Sequence, residues 1–181
     1  MLENMDKPID LTPGEKARWI SEVKFLKAYY HFYLFRMYGP IPITDVNLPI
    51  SSEPQDVKVK RDPVDSVVNY MVRLLDQAAP DLPLAIQNQT QELGRITRPI
   101  ALAVKADILA TAASPLFNGN PAYASFVDKD GQNLFSGTYD ATNGIELLLP
   151  AQQLYRCVKK TVMRCIRSIR LQVFLPILQI H

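Results

Sequence analysis

Residues 12 to 42, TPGEKARWISEVKFLKAYYHFYLFRMYGPIP, constrain the fold more than any other stretch of the chain. They hold Trp19, Phe25, Tyr29, Tyr30, Phe32, Tyr33, Phe35 and Tyr38, eight of the 16 aromatic residues. Thr12 suits an N-cap, Pro13 the first helical turn, and Glu15 completes a T-x-x-E capping box. Gly39 can take the left-handed conformation that ends a helix, and Pro40 cannot continue one. The punctuation predicts a helix of about 26 residues, well beyond the usual three turns. Ile20, Val23, Leu26, Tyr30, Tyr33 or Leu34, and Met37 recur at helical spacing. Phe25, Tyr29, Phe32 and Phe35 widen this stripe into a second apolar face. A helix apolar over so much of its circumference must pack on two sides, which places it inside a larger all-helical assembly.

The chain of 181 residues is long enough for one domain with a substantial core. No stretch of 18 apolar residues is present, so no transmembrane helix is predicted. The start, MLENMDKPID, lacks a basic n-region, an apolar h-region and a cysteine for lipid attachment, so we expect a fragment without its secretion signal. The net charge of +2 is unevenly spread. Residues 147–181 carry six Lys or Arg and no acid, whereas residues 1–146 sum to −4. A basicity confined to the tail does not describe a nucleic-acid-binding domain, and no nucleic-acid partner is expected. Cys157 and Cys165 would lie about 12 Å apart along a helix, too far to pair.

After the aromatic helix, YGPIPIT leaves as an extended segment, and residues 44–61 read as a long polar loop, a length usually functional or mobile. A second helix is predicted to start with Asp62 as N-cap and Pro63 at the first position. Its stripe is Val64, Val67, Val68, Met71, Leu74, Leu75 and Ala78, and it stops before Pro80. Residues 80–94 form a polar connector. A third helix runs from about Arg98 to Ala113, with Leu102, Ile108 and Leu109 filling gaps between small residues such as Ala101, Ala103, Ala106, Ala110 and Ala112. Residues 121–140 are predicted to be an irregular surface stretch. Paired helices with an Ala-rich second member suggest a tetratricopeptide (TPR)-like superhelix with long irregular loops, although no strict 34-residue repeat is present.

Three blocks then carry a resemblance. FLKAYYHFYLFRMYGPIPI resembles the first conserved helix block of the SusD/RagB family of Bacteroidetes glycan-binding lipoproteins. DPVDSVVNYMVRLLDQAAPDLP is similar to that family's next helix. GRITRPIALAVKADILATAASPLFNGN is similar to its Ala-rich helix and SPLFNG exit loop, and YDAT at Tyr139–Thr142 to the lead into the following helix. The likeness covers about residues 12–142 in the family's order. It implies that residues 1–142 are an all-α, SusD-like scaffold portion of a longer protein that binds oligosaccharide or another nutrient without catalysis, and the 181-residue chain alone is expected to lack a complete binding site and to bind no glycan. It also implies a surface-exposed outer-membrane location, a lipid anchor absent from this chain, and a SusC-like TonB-dependent transporter as partner. No cofactor is implied. The family's long C-terminal half has no counterpart here.

From Asn143 the family pattern stops. With permitted codons, a one-base shift rereads the segment after YDAT as KWNRAAAACTTAVQMCEENGYE, an Ala-rich helix with the Trp the family has there. Residues 143–181 are therefore expected to be an out-of-frame basic tail. The rival is a basic amphipathic helix at a membrane surface, with Val158, Val162, Ile166 and Ile169 toward lipid.

Candidate ligand residues are few. Trp19 could offer a flat face to a sugar ring, whereas Phe25, Tyr29, Phe32 and Phe35 are expected in the core. Asn118 and Asn120, in the exit turn, could hydrogen-bond a sugar. Asp128–Asn133 resembles part of a calcium loop but has Tyr139 where the bidentate Glu belongs, so a solvated turn is expected. His31 has no second histidine nearby, and no metal site is expected. No nucleophile–base pair, P-loop or Rossmann fingerprint supports an enzyme. The alternative to a glycan-binding component is a TPR-like scaffold that binds protein or peptide.

Overall fold

The computed structural model describes residues 2–45 and 47–142, together with Gln153 and Arg156. The expected out-of-frame tail from Asn143 and its membrane-surface rival lie outside the described residues but for those two positions.

Helix α1 spans Pro13–Tyr38, 26 residues. The capping box is complete: the Thr12 hydroxyl accepts from the Glu15 N–H at 3.3 Å, and the Glu15 carboxylate accepts from the Thr12 N–H at 3.1 Å. The Thr12 hydroxyl also donates to the Glu15 carboxylate at 2.6 Å, and this bond first, then the Thr12 N–H, holds the Glu15 carboxyl below its ordinary pKa. At the other end the Gly39 N–H donates to Phe35 O at 2.8 Å. Gly39 has the expected positive φ, +70°, but its ψ of −120° is not that of a left-handed helical residue. It turns the chain sharply under Phe135 and Phe117.

The buried face of α1 is Ser21, Phe25, Ala28, His31, Phe32 and Phe35. This corrects two expectations. Tyr29 is not core: it is 42% exposed and lies stacked beside Phe25. The stripe through Leu26, Tyr30, Tyr33, Leu34 and Met37 is the outward face, with Tyr30 and Met37 more than 60% exposed. Among the described residues, only one of the two apolar faces is covered.

Helix α2 spans Val64–Ala78 and buries the whole expected stripe, with Tyr70 in addition. Burying each such aliphatic side chain contributes about 1.5–3 kcal/mol. The cap differs from expectation. Asp62 does not close the helix start, because Pro63 occupies the N-cap position and no side chain caps it. Asp62 faces backwards instead: its carboxylate accepts from the Ile43 N–H at 2.7 Å, and its own N–H donates to Ile41 O at 3.0 Å. The strap leaving α1 is thereby tied to the strap entering α2. The exposed donor of the first turn, the Val64 N–H, is satisfied by Leu134 O at 3.0 Å. That bond corrects the surface reading of residues 121–140, since Leu134 and Phe135 are buried.

A short 3-10 turn, Ala79–Asp81, ends α2. The connector contains a four-residue helix, α3, Gln89–Glu92, capped by the Asn88 side chain. Four charges fasten it to α1: Arg18 and Arg95 each bond both Glu22 and Glu92, at 2.7 to 3.2 Å. Helix α4, Arg98–Ala112, follows. Arg98 donates from Nε to Ala79 O at 2.7 Å and also bonds Pro80 O, so the end of α2 is capped from the start of α4. Leu102, Ile108 and Leu109 face inward with Ala101 and Ala112, whereas Ala103 and Ala110 are exposed. The close-packing face is thus narrower than the alanine content implies. Helix α2 is the middle layer, packed on α1 on one side and α4 on the other. Among the described residues no helix is long and apolar enough to cross a membrane, and extended segments meet only in isolated bridges.

Candidate binding groove and its relatives

A row of aromatic rings runs from the core to the surface. Phe35, fully buried, meets Phe117 at a centroid distance of 4.5 Å. Phe117 stacks on Phe135 at 6.2 Å, and Phe135 stacks on Tyr123 at 4.8 Å and meets Phe126 edge-on at 6.0 Å. Tyr123 and Phe126 are each about two-fifths exposed, Tyr123 with one face on the buried Phe135 and Phe126 packed edge-to-face with it. Such seating fixes the side chains before any ligand arrives, which lowers the ordering cost of binding.

Two adjoining depressions share Phe126 and Arg61. One, of about 730 Å³, lies between the 58–61 strap and the 126–130 turn. The other, of about 270 Å³, lies at the end of α1 beside Tyr38 and Tyr123. Together they form a groove of ligand-binding size with an aromatic floor. Its rim is cationic: Lys58, Lys60, Arg61 and Lys129 on one part, Arg36 on the other. Lys60 bridges the walls, bonding Asp130 at 2.7 Å. This bond raises the Lys60 pKa and lowers that of Asp130, both exposed side chains. Asp128 shapes the turn, its Oδ1 accepting from the Asp130 and Gln132 N–H groups at 2.9 Å. Its Oδ2 is buried without a partner among the described residues.

The residues singled out from the sequence lie elsewhere or have structural work. Trp19 is on the first half of α1, roughly 28 Å along the helix from Tyr38, and is 39% exposed. Asn118 is buried, and its amide is used as a clamp: Nδ2 donates to Asp140 O and Oδ1 accepts from the Asp140 N–H, both at 2.8 Å. Asn120 caps a 3-10 turn, accepting from the Ala122 N–H at 3.0 Å. Between them Gly119, at φ +71°, packs so close to the returning chain that a Cβ there would sit 2.6 Å from the Tyr139 nitrogen. The exit loop thus closes tightly on residues 139 and 140. Asp128–Asn133 is the hairpin-like turn of the groove wall, with Val127 bridged to Asn133.

His31 is buried beside Tyr70, with Nδ1 2.7 Å from Lys27 O. Near it, Asp45 bonds Lys27 at 2.7 Å and the Tyr70 hydroxyl at 2.9 Å. The Lys27 bond, then Tyr70, lowers the Asp45 pKa. Burial opposes the Lys27 charge, but its bonds to Asp45 and Tyr70 outweigh that and raise its pKa. The cluster fastens the chain that leaves α1. Sequence reasoning missed the groove. Its signal was the VKVKR run at 57–61, but the aromatic partner lies far along the chain.

Solved structures resemble this fold. The structure named BT4246 is 35% identical, with a TM-score of 0.77 over 87% of this chain and 27% of that one. A SusD superfamily protein from Parabacteroides distasonis is 22% identical, with a TM-score of 0.60 over 86% of this chain and 27% of its own. A laminarin-binding SusD-like protein is 20% identical, with a TM-score of 0.52 over 74% of this chain and 29% of its own. The chain spans about a quarter of the length of these structures. No family model and no curated protein matches.

Proposed function

We propose that this chain, whose fold is SusD-like, is part of a SusD/RagB-family protein and supplies the helical scaffold portion of a glycan-binding component of a nutrient-uptake system. The observation that carries the reading is the groove: partly exposed aromatic rings packed against the buried Phe135, set in a SusD-like arrangement of helices. A pyranose ring has a C–H face that stacks on such a platform and hydroxyls that bond the polar rim. The laminarin-binding SusD-like protein supports a saccharide ligand. The groove residues form no nucleophile–base pair, and binding without turnover is the activity proposed. The whole protein is proposed to act at the outer-membrane surface, held by a lipid anchor and partnered by a TonB-dependent transporter of the SusC type. Residues 1–142 are the proposed scaffold, and Trp19 and Asn120 remain proposed sugar contacts, whereas the buried Asn118 amide, the third candidate, is already spent on Asp140. Affinity electrophoresis of the chain in gels containing laminarin, other neutral glucans or acidic polysaccharides tests the reading. Retardation in at least one is expected, and mobility unchanged in all of them would refute it.

A second reading is favoured by the outward face of α1, where Tyr30, Tyr33, Leu34 and Met37 present a continuous apolar strip. Exposed strips of this kind mark protein contacts. On this reading the chain is a TPR-like scaffold for a protein or peptide. Retention of a tagged chain on a partner-derived peptide, with no saccharide retardation, would favour it.

A further inference from the structure

We propose that the groove between the 58–61 strap and the 126–130 turn selects anionic oligosaccharides, those bearing uronate carboxylates or sulfate esters. The inference rests on the glycan-binding reading above and narrows its ligand class.

Three features of the groove point the same way. The first is charge. Lys58, Lys60, Arg61, Lys129 and Arg36 line the two depressions, against the acids Asp128 and Asp130. Among the described residues Lys60 is held in an ion pair and Arg36 lies 5.6 Å over the Phe32 ring, while Lys58, Arg61 and Lys129 line the groove outside any ion pair. This excess is local, since residues 1–146 as a whole are net acidic. Cations gathered at a cleft on an otherwise acidic body focus the potential there and draw anions to it. Arg61, common to both depressions, offers the planar fork that matches a carboxylate or sulfate.

The second feature is the aromatic floor. Simple counter-ions need no stacking surface, but a sugar does. Phe126, also common to both depressions, is about two-fifths exposed and packs edge-to-face with the buried Phe135. One residue of each kind at the junction places charge and stacking within reach of the same sugar ring. The third is the exposed Asp130 carboxylate on the same wall, held beside Lys60 at 2.7 Å. A carboxylate accepts hydrogen bonds from sugar hydroxyls, whereas a bare anion is repelled by it. The ligand that satisfies all three features carries negative charge, a C–H face and hydroxyls.

The test is calorimetric titration of the 181-residue chain with a galacturonate hexasaccharide, a sulfated dextran oligosaccharide, a neutral laminari-hexasaccharide and inorganic polyphosphate. The galacturonate or the sulfated sugar should bind at least tenfold tighter than the neutral sugar, and which of them does so identifies the anionic group. Arg61→Gln should weaken that binding at least fivefold. Phe126→Ala should do the same, and Lys129→Gln, a change at an exposed site, should reduce both the affinity and its salt dependence. Neutral sugar bound as tightly as the acidic ones would overturn this inference while leaving glycan binding intact. No saccharide bound at all would overturn both. Polyphosphate bound as tightly as the acidic sugars, with Phe126→Ala without effect, would reduce the groove to plain ion attraction and refute the proposal.

Discussion

Helices α1 and α2 are both rich in apolar residues, yet they solve different problems. In α2 every large aliphatic residue but Val72 lies on one buried stripe, and Val72 is partly buried beside it. In α1 the apolar residues surround most of the circumference, and only the Phe25–Phe32–Phe35 side is covered among the described residues. The α2 stripe is complete because α1 and α4 both pack against it, whereas a helix apolar on opposite sides needs a neighbour on each. The difference teaches that α2 is the hub of this part of the fold, whereas α1 is a boundary between this part and whatever covers its tyrosines.

Substitutions can break or sharpen that contrast. The largest loss is expected for Phe35→Ala, which empties a fully buried site at the base of the aromatic row. It should cost ~3–5 kcal/mol in urea unfolding and also weaken saccharide binding by unseating the groove floor. A cost below ~1 kcal/mol would mean the inner face is not a packed core. Leu75→Ala, on the buried stripe in the last turn of α2, should cost ~2–5 kcal/mol and leave the groove intact. The outward face should behave in the opposite way. Leu34→Ser and Tyr30→Ser are expected to change the stability of this chain by less than ~0.5 kcal/mol. They should also lower its self-association in analytical ultracentrifugation, because they thin an exposed apolar strip. A large destabilisation by Leu34→Ser would show that this face is already packed.

The smallest effect is expected at the junction of the two faces, where Lys27 and Asp45 pair. The Asp45 pKa is lowered in the fold, so its contribution is complete above the ordinary aspartate value and is lost as pH falls through the native one. The Lys27 pKa is raised, so its contribution is complete below the ordinary lysine value and is lost as pH rises through the native one. The protection factors of the amides at residues 43–45, with the intrinsic pH dependence of exchange divided out, should therefore be highest on a plateau between these limits and fall first in acid. Asp45→Asn should abolish the acid limb, and an unchanged limb in that variant would exclude the pair as its cause.

How much of this was legible in the residues depended on how local the cause was. The span of α1 followed from Thr12, Glu15 and Gly39, because capping acts within a turn. The stripe of α2 followed from spacing, because only one stripe exists to choose. Which side of α1 faces inward did not follow, since Tyr30 and Phe32 are alike to any periodicity argument and only the neighbours decide between them. Asp62 was misread for the same reason. Its local signal is an N-cap, but the unsatisfied Ile43 N–H on the passing strap competes for it and wins. The burial of Leu134 and Phe135 depends on a backbone bond to Val64, a contact that carries no side-chain signature. The groove unites Arg61 with Phe126 across a long stretch of chain, so neither residue announces it alone. The SusD-like scaffold was legible from three blocks in order, because those blocks hold the helix exits as well as the helices.

Gly119 carries a consequence for how this loop can vary. The obstacle there is the first carbon of any side chain, which would lie 2.6 Å from the Tyr139 nitrogen. All other amino acids share that carbon, so the usual ordering of replacements by size, polarity or charge loses its meaning at this position. In a saturation scan, alanine should rank with tryptophan and aspartate, giving a flat profile beside the graded profiles of Leu116 and Asn120. The loop is thereby constrained by an empty volume, and drift in the surrounding sequence can change everything about it except the absence at its centre.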